Sequence, residues 1–199
     1  MLAGGRATRM DGALKGLEVA GSRRLLDRAA ESLRAAADCL AIIANDPSAT
    51  GWIPGVRIVP DARPGLGALG GIHAALAAAA GADVLVLPWD AGFVPSGLLR
   101  ELREAGELHG ADVAAPRSNS PWGFEPLCAW YSASAISYVV ALLDEGDGRA
   151  GALAVRCRHL VVDSSSWGDP DDIFFNVNTP ADLDRARANA ARLDRRAAQ

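Results

Sequence analysis

Lysine is almost missing from this chain: one residue, Lys15, stands against 19 arginines in 199 residues. Cysteine is scarce too. The three present (Cys39, Cys128, Cys157) are scattered, odd in number and without metal-ligand spacing, which argues against a disulfide framework or a zinc site and for reduced thiols. No apolar run reaches the roughly 18 residues needed to cross a bilayer. The richest stretch, GGIHAALAAAAGADVLVLP, is broken by Gly81 and Asp83 and reads as a helix followed by a strand. Export-signal regions are not visible after Met1, where a short apolar pair runs at once into Gly4-Gly5. The expectation is a cytoplasmic protein with no membrane partner. The net charge of −4 argues against a nucleic-acid partner, which selects a basic face. There is no GxSxG, no zinc pattern and no evident pairing of cysteine with histidine (His73, His109, His159). What remains is chemistry that needs mainly positioning and charge, such as phosphoryl or nucleotidyl transfer.

Half of the residues are apolar and 22% are charged, the profile of a globular domain, and the length suits one domain over 1–199. Apolar runs alternate with helical patterns, which predicts an α/β fold: three layers, a mostly parallel twisted sheet with helices on both faces, Rossmann-like. Met1-Leu2 can only be the end of a first strand. Strands are expected at Leu40–Ala44, Val56–Val59, Val84–Leu87, Asp112–Ala115, Pro126–Tyr131 and His159–Val162. Helices are expected at Leu25–Ala37, at Gly71–Ala80, from a Ser96 cap through Ala105, at Ser134–Leu143, and after Thr179-Pro180-Ala181-Asp182. The last dozen residues, rich in Ala and Arg, are expected to fray.

Four stretches carry candidate chemistry. Leu2-Ala3-Gly4-Gly5, followed by Arg6, Arg9 and Lys15, places a glycine turn and cations after a strand end, a setting for phosphates; the order Lys15-Gly16-Leu17 does not fit a Walker loop. Five basic residues against two acids through Arg24 make this end locally positive, which suits a small anion. Gly65-Leu66-Gly67-Ala68-Leu69-Gly70 fits GxGxxG, with Asp90 twenty residues beyond, but five residues (Pro60 to Pro64) separate the strand from its first glycine. Asp90 follows a buried strand, where open α/β sheets bind ligands, and a lone carboxylate there suits Mg²⁺ shared with phosphates. Asp61 and Asn45 also follow strands, and Asp61 can accept hydrogen bonds from a base. In Phe174-Phe175-Asn176-Val177-Asn178-Thr179-Pro180, an extended backbone turns Asn176 and Asn178 to one side, next to a helix amino end.

Taken in order, LAGGRATRM…K, IVPD, GLGALGGIHAAL, VLVLPWDAGFVP, EPLCAWY and FFNVNTPADL resemble the molybdenum cofactor guanylyltransferases, within the wider nucleotide-diphospho-sugar transferase-like nucleotidyltransferases. The resemblance covers nearly the whole chain. It implies transfer of GMP from MgGTP to molybdenum-bound molybdopterin, with release of pyrophosphate. It places GTP on Leu2, Ala3, Gly4 and Gly5 with Lys15 on its phosphates, nucleotide contacts at Asn45 and Asp61, and Mg²⁺ on Asp90. Asn176 and Asn178 would lie near the metal and the pterin, with Arg6 and Arg9 helping by position. The implied partners are GTP, molybdopterin and proteins that mature molybdoenzymes. Lysine at position 15 then has a reason, because a compact ammonium fits between phosphate oxygens where a planar guanidinium does not. Three alternatives stay open: a cytidylyl- or sugar-phosphate nucleotidyltransferase, a nucleotide-binding module without catalysis, and, through GxGxxG, a dinucleotide-binding dehydrogenase.

Overall fold

The structure is a computed structural model that describes residues 1–4 and 14–197. Its organising element is a segment of three residues. Met1–Ala3 lies between β3 (Ala41–Ile43) and β5 (Val84–Val86), with Leu2 bridged in parallel to Ile43 on one side and to Pro88 on the other. The Met1 amino group donates to Ala41 O at 2.8 Å, Ile43 N to Met1 O at 2.9 Å and Ala3 N to Ile43 O at 2.8 Å. Across the other edge, Leu2 N donates to Leu87 O and Trp89 N to Leu2 O, both at 2.9 Å. The expected strand end is therefore real, and it joins two sheets into one.

β4 (Arg57–Val59) extends the sheet beyond β3 in parallel. Beyond β5 come β7 (Ala129–Tyr131), β6 (Val113–Pro116) and β8 (His159–Val162). The β6–β8 pair is parallel, whereas β7 runs antiparallel to both neighbours. The reversal follows from the connection: β6 reaches β7 through a loop with no crossover helix, and parallel neighbours need a crossover. The mostly parallel sheet with helices on both faces thus holds, with β7 as its exception.

α1 (Leu25–Arg34) and α3 (Ser96–His109) cover one face, where Leu26, Leu33, Leu98, Leu99 and Leu102 pack on Met1, Ile42, Leu85 and Leu87. α2 (Gly67–Ala79) and α4 (Ala135–Asp144) cover the other, with Leu69, Ile72, Leu76, Val139 and Leu142 on Val86, Val113 and Tyr131. A Cβ on Gly106 would stand 2.3 Å from Trp130, so this glycine lets α3 lie close on the sheet. A smaller cluster joins α6 (Pro180–Ala197), through Leu183, Ala186 and Ala190, to Phe175, Val177 and the hairpin of β1 (Val19–Ala20) and β2 (Arg23–Arg24).

Several boundaries differ from the sequence pattern. α1 stops at Arg34 rather than Ala37, where the Ala36 amide tightens to Leu33 O, three residues back. α3 continues to His109 rather than Ala105, and left-handed Gly110 ends it at φ 56°. Ser96 is not its cap; Pro95 takes that place and Ser96 begins the helix. α2 starts at Gly67 rather than Gly71 because Leu69 is core, so the second half of GxGxxG is helix rather than a turn leaving a strand.

Burial of Met1 carries an electrostatic consequence. Loss of hydration pushes its amino pKa from an ordinary value of 8.0 down to about 5. Between these values the unfolded chain binds a proton that the folded chain does not, so stability rises with pH from 5 to 8 and is complete above 8. The expected slope from this one group approaches about 1.4 kcal/mol per pH unit. Denaturant unfolding across that range checks it, and Nα-acetylation of Met1 should remove that part of the slope.

Candidate active site

Gly4, Asn45, Asp61 and Asp90 follow the carboxyl ends of the amino-terminal segment, β3, β4 and β5, the crevice where open α/β sheets bind ligands. The five bonds of Met1–Ala3 engage the amides of Leu2 and Ala3 within the sheet, so these two residues serve the site by carrying exposed Gly4 to its edge. Gly5, Arg6 and Arg9 lie outside the described residues.

On one side of Gly4, Asn45 Oδ1 accepts a hydrogen bond from Asp61 N at 2.8 Å, clasping the loops after β3 and β4. Asp61 Oδ1 accepts from Arg63 N at 2.8 Å, and Asp61 lies so close to α2 that a Cβ on Gly70 would be 2.8 Å from Asp61 Oδ2. Gly70 of the GxGxxG stretch therefore makes room for a carboxylate beside the crevice. Gly67, at φ 63°, packs against Gly148, where a Cβ would stand 2.8 Å from Gly148 O. Both glycines serve close packing, and the dinucleotide fingerprint is not formed.

On the other side, Lys15 Nζ donates to Asn178 Oδ1 at 2.7 Å, across 163 residues of sequence. Lys15 starts a 3-10 turn (Lys15–Leu17) whose Gly16 sits on the Trp89 ring, so close that a Cβ would be 2.4 Å from it. Trp89 in turn stacks on Trp52 with ring centroids 4.7 Å apart. Asp90 is the next residue after Trp89. Desolvation raises its carboxyl pKa, against the lowering influence of its own backbone N–H and of the Lys15 charge. Asn178 is held by a reciprocal cap at the start of α6: Asp182 Oδ2 accepts from Asn178 N at 3.0 Å and from Thr179 N at 2.8 Å, and Asp182 N donates to Thr179 Oγ1 at 3.2 Å.

Asn176 is half-buried, and its Oδ1 has no hydrogen-bond partner among the described residues. It lines a cavity of about 10 Å³ with Pro88, Ala91, Glu125 and Cys128, so it stands beside the Asp90 turn. Burial raises the Glu125 carboxyl pKa there. Sequence reasoning passed over Glu125 and the seat made by Trp52, Trp89 and Gly16. The signals were present, an acid before Pro126 in EPLCAWY and Trp89 beside Asp90, but neither reads as a site until the chain is folded.

Among the described residues no group of three or more His, Cys, Asp or Glu could by itself hold a metal ion. One desolvated carboxylate and a partnerless amide oxygen still fit a hard divalent cation that completes its shell with phosphate oxygens and water, with the Lys15 ammonium left for the phosphates. The site can thus bind a polyphosphate and neutralise charge on it; it offers no Ser–His or Cys–His nucleophile. Where ligand binding demands a desolvated charge, stability is given up. Asp90→Asn should therefore raise Tm by about 2–4 °C at pH 7, equivalent to ~1 kcal/mol, while removing activity. The gain should shrink as the pH falls, because burial makes Asp90 take up its proton more readily than an ordinary carboxyl; thermal melts at pH 7 and at lower pH check this.

A sequence profile of the MobA-like NTP transferase domain matches residues 1–160. A probable molybdenum cofactor guanylyltransferase of Pelotomaculum thermopropionicum is 36% identical over 193 residues, covering 96% of this chain and 91% of the relative. A molybdenum cofactor guanylyltransferase of Cereibacter sphaeroides is 37% identical over 193 residues, covering 94% of each. Among solved structures, the molybdopterin-guanine dinucleotide biosynthesis protein A of Archaeoglobus fulgidus shares the fold with a TM-score of 0.78, at 24% identity over 96% of this chain and 97% of that one. A nucleotidyl transferase of Methanothermobacter thermautotrophicus superposes with a TM-score of 0.74, at 20% identity over 96% of both chains.

Proposed function

This chain belongs to the MobA-like NTP transferase family, and we propose that it is a guanylyltransferase that joins the GMP moiety of GTP to the terminal phosphate of molybdenum-bound molybdopterin. The observation that carries this reading is the Lys15–Asn178 contact of 2.7 Å beside Asp90 at the carboxyl edge of the sheet. It brings a cation and the Asn178 amide, from opposite ends of the chain, next to a desolvated carboxylate. The choice of guanine and pterin rests on the names of relatives 36–37% identical over nearly the full length.

In this reading the nucleoside lies toward the Asn45–Asp61 clasp and the triphosphate toward Gly4, Lys15 and Asp90, with Gly5, Arg6 and Arg9 in the loop between. A terminal phosphate oxygen of the pterin attacks the α-phosphorus in line. A new P–O bond forms, the α–β bridging bond breaks, and its electron pair leaves with pyrophosphate. No covalent enzyme intermediate is needed. Lys15 places an ammonium against developing negative charge, and its bond to Asn178 holds it ready, so little reorganisation accompanies reaction. Asp90 and Asn176 would hold a divalent cation, read here as Mg²⁺, which when bound supplies Lewis-acid stabilisation of the phosphoryl oxygens. Asn178, fixed by the α6 cap, orients Lys15 from the pterin side. Transfer of the product to proteins that mature molybdoenzymes, in the cytoplasm, completes the reading.

Incubation with molybdopterin, molybdate, Mg²⁺ and either GTP or CTP, followed by chromatography of the pterin dinucleotides, tests it. The guanine dinucleotide should form in preference, and Asp90→Ala should lower its rate by about 10²–10³-fold. Lys15→Arg should cost more than ~10-fold in kcat/KM with unfolding unchanged, because charge is kept while fit is lost. A cytosine dinucleotide as the main product would move the protein to the cytidylyl branch, and GTP binding without any product would leave a binding module.

A further inference from the structure

Two tryptophans stand exposed in loops that leave strands: Trp122 (43% exposed) between β6 and β7, and Trp167 (37% exposed) after β8. β6 and β8 are parallel to each other and, across antiparallel β7, to β5, so both loops open on the side of the sheet that carries Asp90. Each ring covers a glycine, Gly151 under Trp122 and Gly97 under Trp167. Their polar atoms differ. Trp167 Nε1 donates to Glu101 Oε2. Trp122 is bonded through its main chain, N to Ser120 Oγ at 3.3 Å, and its indole N–H meets no acceptor among the described residues.

The Trp122 indole lies flat on its glycine. A Cβ on Gly151 would fall 2.2 Å from Cδ2 and 2.3 Å from Cε2, the bond that the two rings share. Arg149 flanks the ring with its guanidinium carbon 6.0 Å from the centroid, beyond the ~3.5–4 Å of direct carbon contact, so it does not cap the ring. Asp147 fixes that guanidinium at two points, 2.9 Å to Nε and 2.7 Å to Nη2. The same loop touches the start of α2, where Leu69 N donates to Gly148 O at 3.1 Å, and α2 carries Gly70 against Asp61. Platform and crevice are therefore one continuous surface.

We propose that Trp122, flanked by Arg149, is the stacking platform for the flat fused ring of the acceptor substrate. The identity of that ring as a pterin rests on the guanylyltransferase reading. A planar, electron-poor heterocycle suits an indole face, and its ring oxygen or nitrogen gives the free indole N–H an acceptor. The strand order favours the acceptor over the base of the nucleotide: the Asn45–Asp61 clasp lies over β3 and β4, whereas Trp122 leaves β6, beyond β5 and β7. Trp167, with its N–H already taken by Glu101, has no such role.

The test titrates the full chain with 6-hydroxymethylpterin, read by pterin fluorescence, and separately with GTP and Mg²⁺ by calorimetry. Trp122→Ala should weaken pterin binding by about tenfold or more, Trp122→Phe by less than about threefold, and neither should move GTP affinity or Tm. Trp122→Leu keeps apolar cover over Gly151 without an aromatic face and should match Trp122→Ala; it decides if the alanine variant does not fold. In turnover, the KM for molybdopterin should rise with the KM for GTP unchanged. Unaltered pterin affinity in both variants, a loss of GTP affinity instead, or displacement of the pterin by glucose 1-phosphate would each overturn the proposal. Pterin binding that depends on Trp122 without dinucleotide formation would keep the platform and sink the guanylyltransferase reading. Dinucleotide formation at an unchanged KM for molybdopterin in Trp122→Leu would do the reverse.

Discussion

Five main-chain hydrogen bonds made by Met1, Leu2 and Ala3 hold the β3–β4 pair against the sheet of β5, β7, β6 and β8. Without them the β3–β4 pair and the four strands from β5 to β8 would share no ladder. The seam they close is also where the site lies. Asn45 and Asp61 stand on one side of it, Asp90 on the other, and Gly4 leaves from its middle. A segment of three residues thus sets the distance between the two halves of the candidate crevice. Because it is backbone pairing rather than side-chain packing, its register leaves no room for sliding: a shift of one residue would exchange the core faces of Met1 and Leu2.

Around that seam the site is assembled by packing and charge together. Trp52 stacks on Trp89, Gly16 rests on Trp89, and this seat places Lys15 where it reaches Asn178 and influences Asp90. Each step is short-range and steric, whereas the outcome is electrostatic. The Asp90 carboxylate is desolvated, Asn176 Oδ1 is partnerless among the described residues, and Glu125 is pushed toward its protonated form. Such groups are costly to the isolated fold and useful once a polyphosphate and a cation arrive. The reciprocal cap at Asp182 and Thr179 works the other way, adding local order at Asn178 so that the ammonium is met by an oriented amide.

Much of the architecture could be read before folding was considered. The burial of Val84–Val86 was legible as an unbroken apolar run, β8 appeared at its observed bounds, and Thr179 to Asp182 announced a helix start that the hydrogen bonds make. These are local properties, set by periodicity and by capping chemistry within four residues. The antiparallel direction of β7 was not legible, because direction depends on how a connecting loop closes in space. Nor was the extent of α2 and α3: glycines that look like breaks continue a helix when Leu69 or the Trp130 ring rewards it.

For the site, the sequence by itself determined which groups are available: a lone lysine after Gly4-Gly5, carboxylates at 61 and 90 after strands, and two asparagines in one extended stretch before a cap. Only the tertiary structure decided which of them meet. Lys15 and Asn178 are 163 positions apart and touch at 2.7 Å; Asn45 and Asp61 clasp each other; Gly67 and Gly70, so like a nucleotide fingerprint in sequence, serve packing against Gly148 and Asp61. The reason is physical: residue type and local spacing fix chemistry and secondary structure, whereas proximity across a sheet is set by strand order, which depends on the whole core.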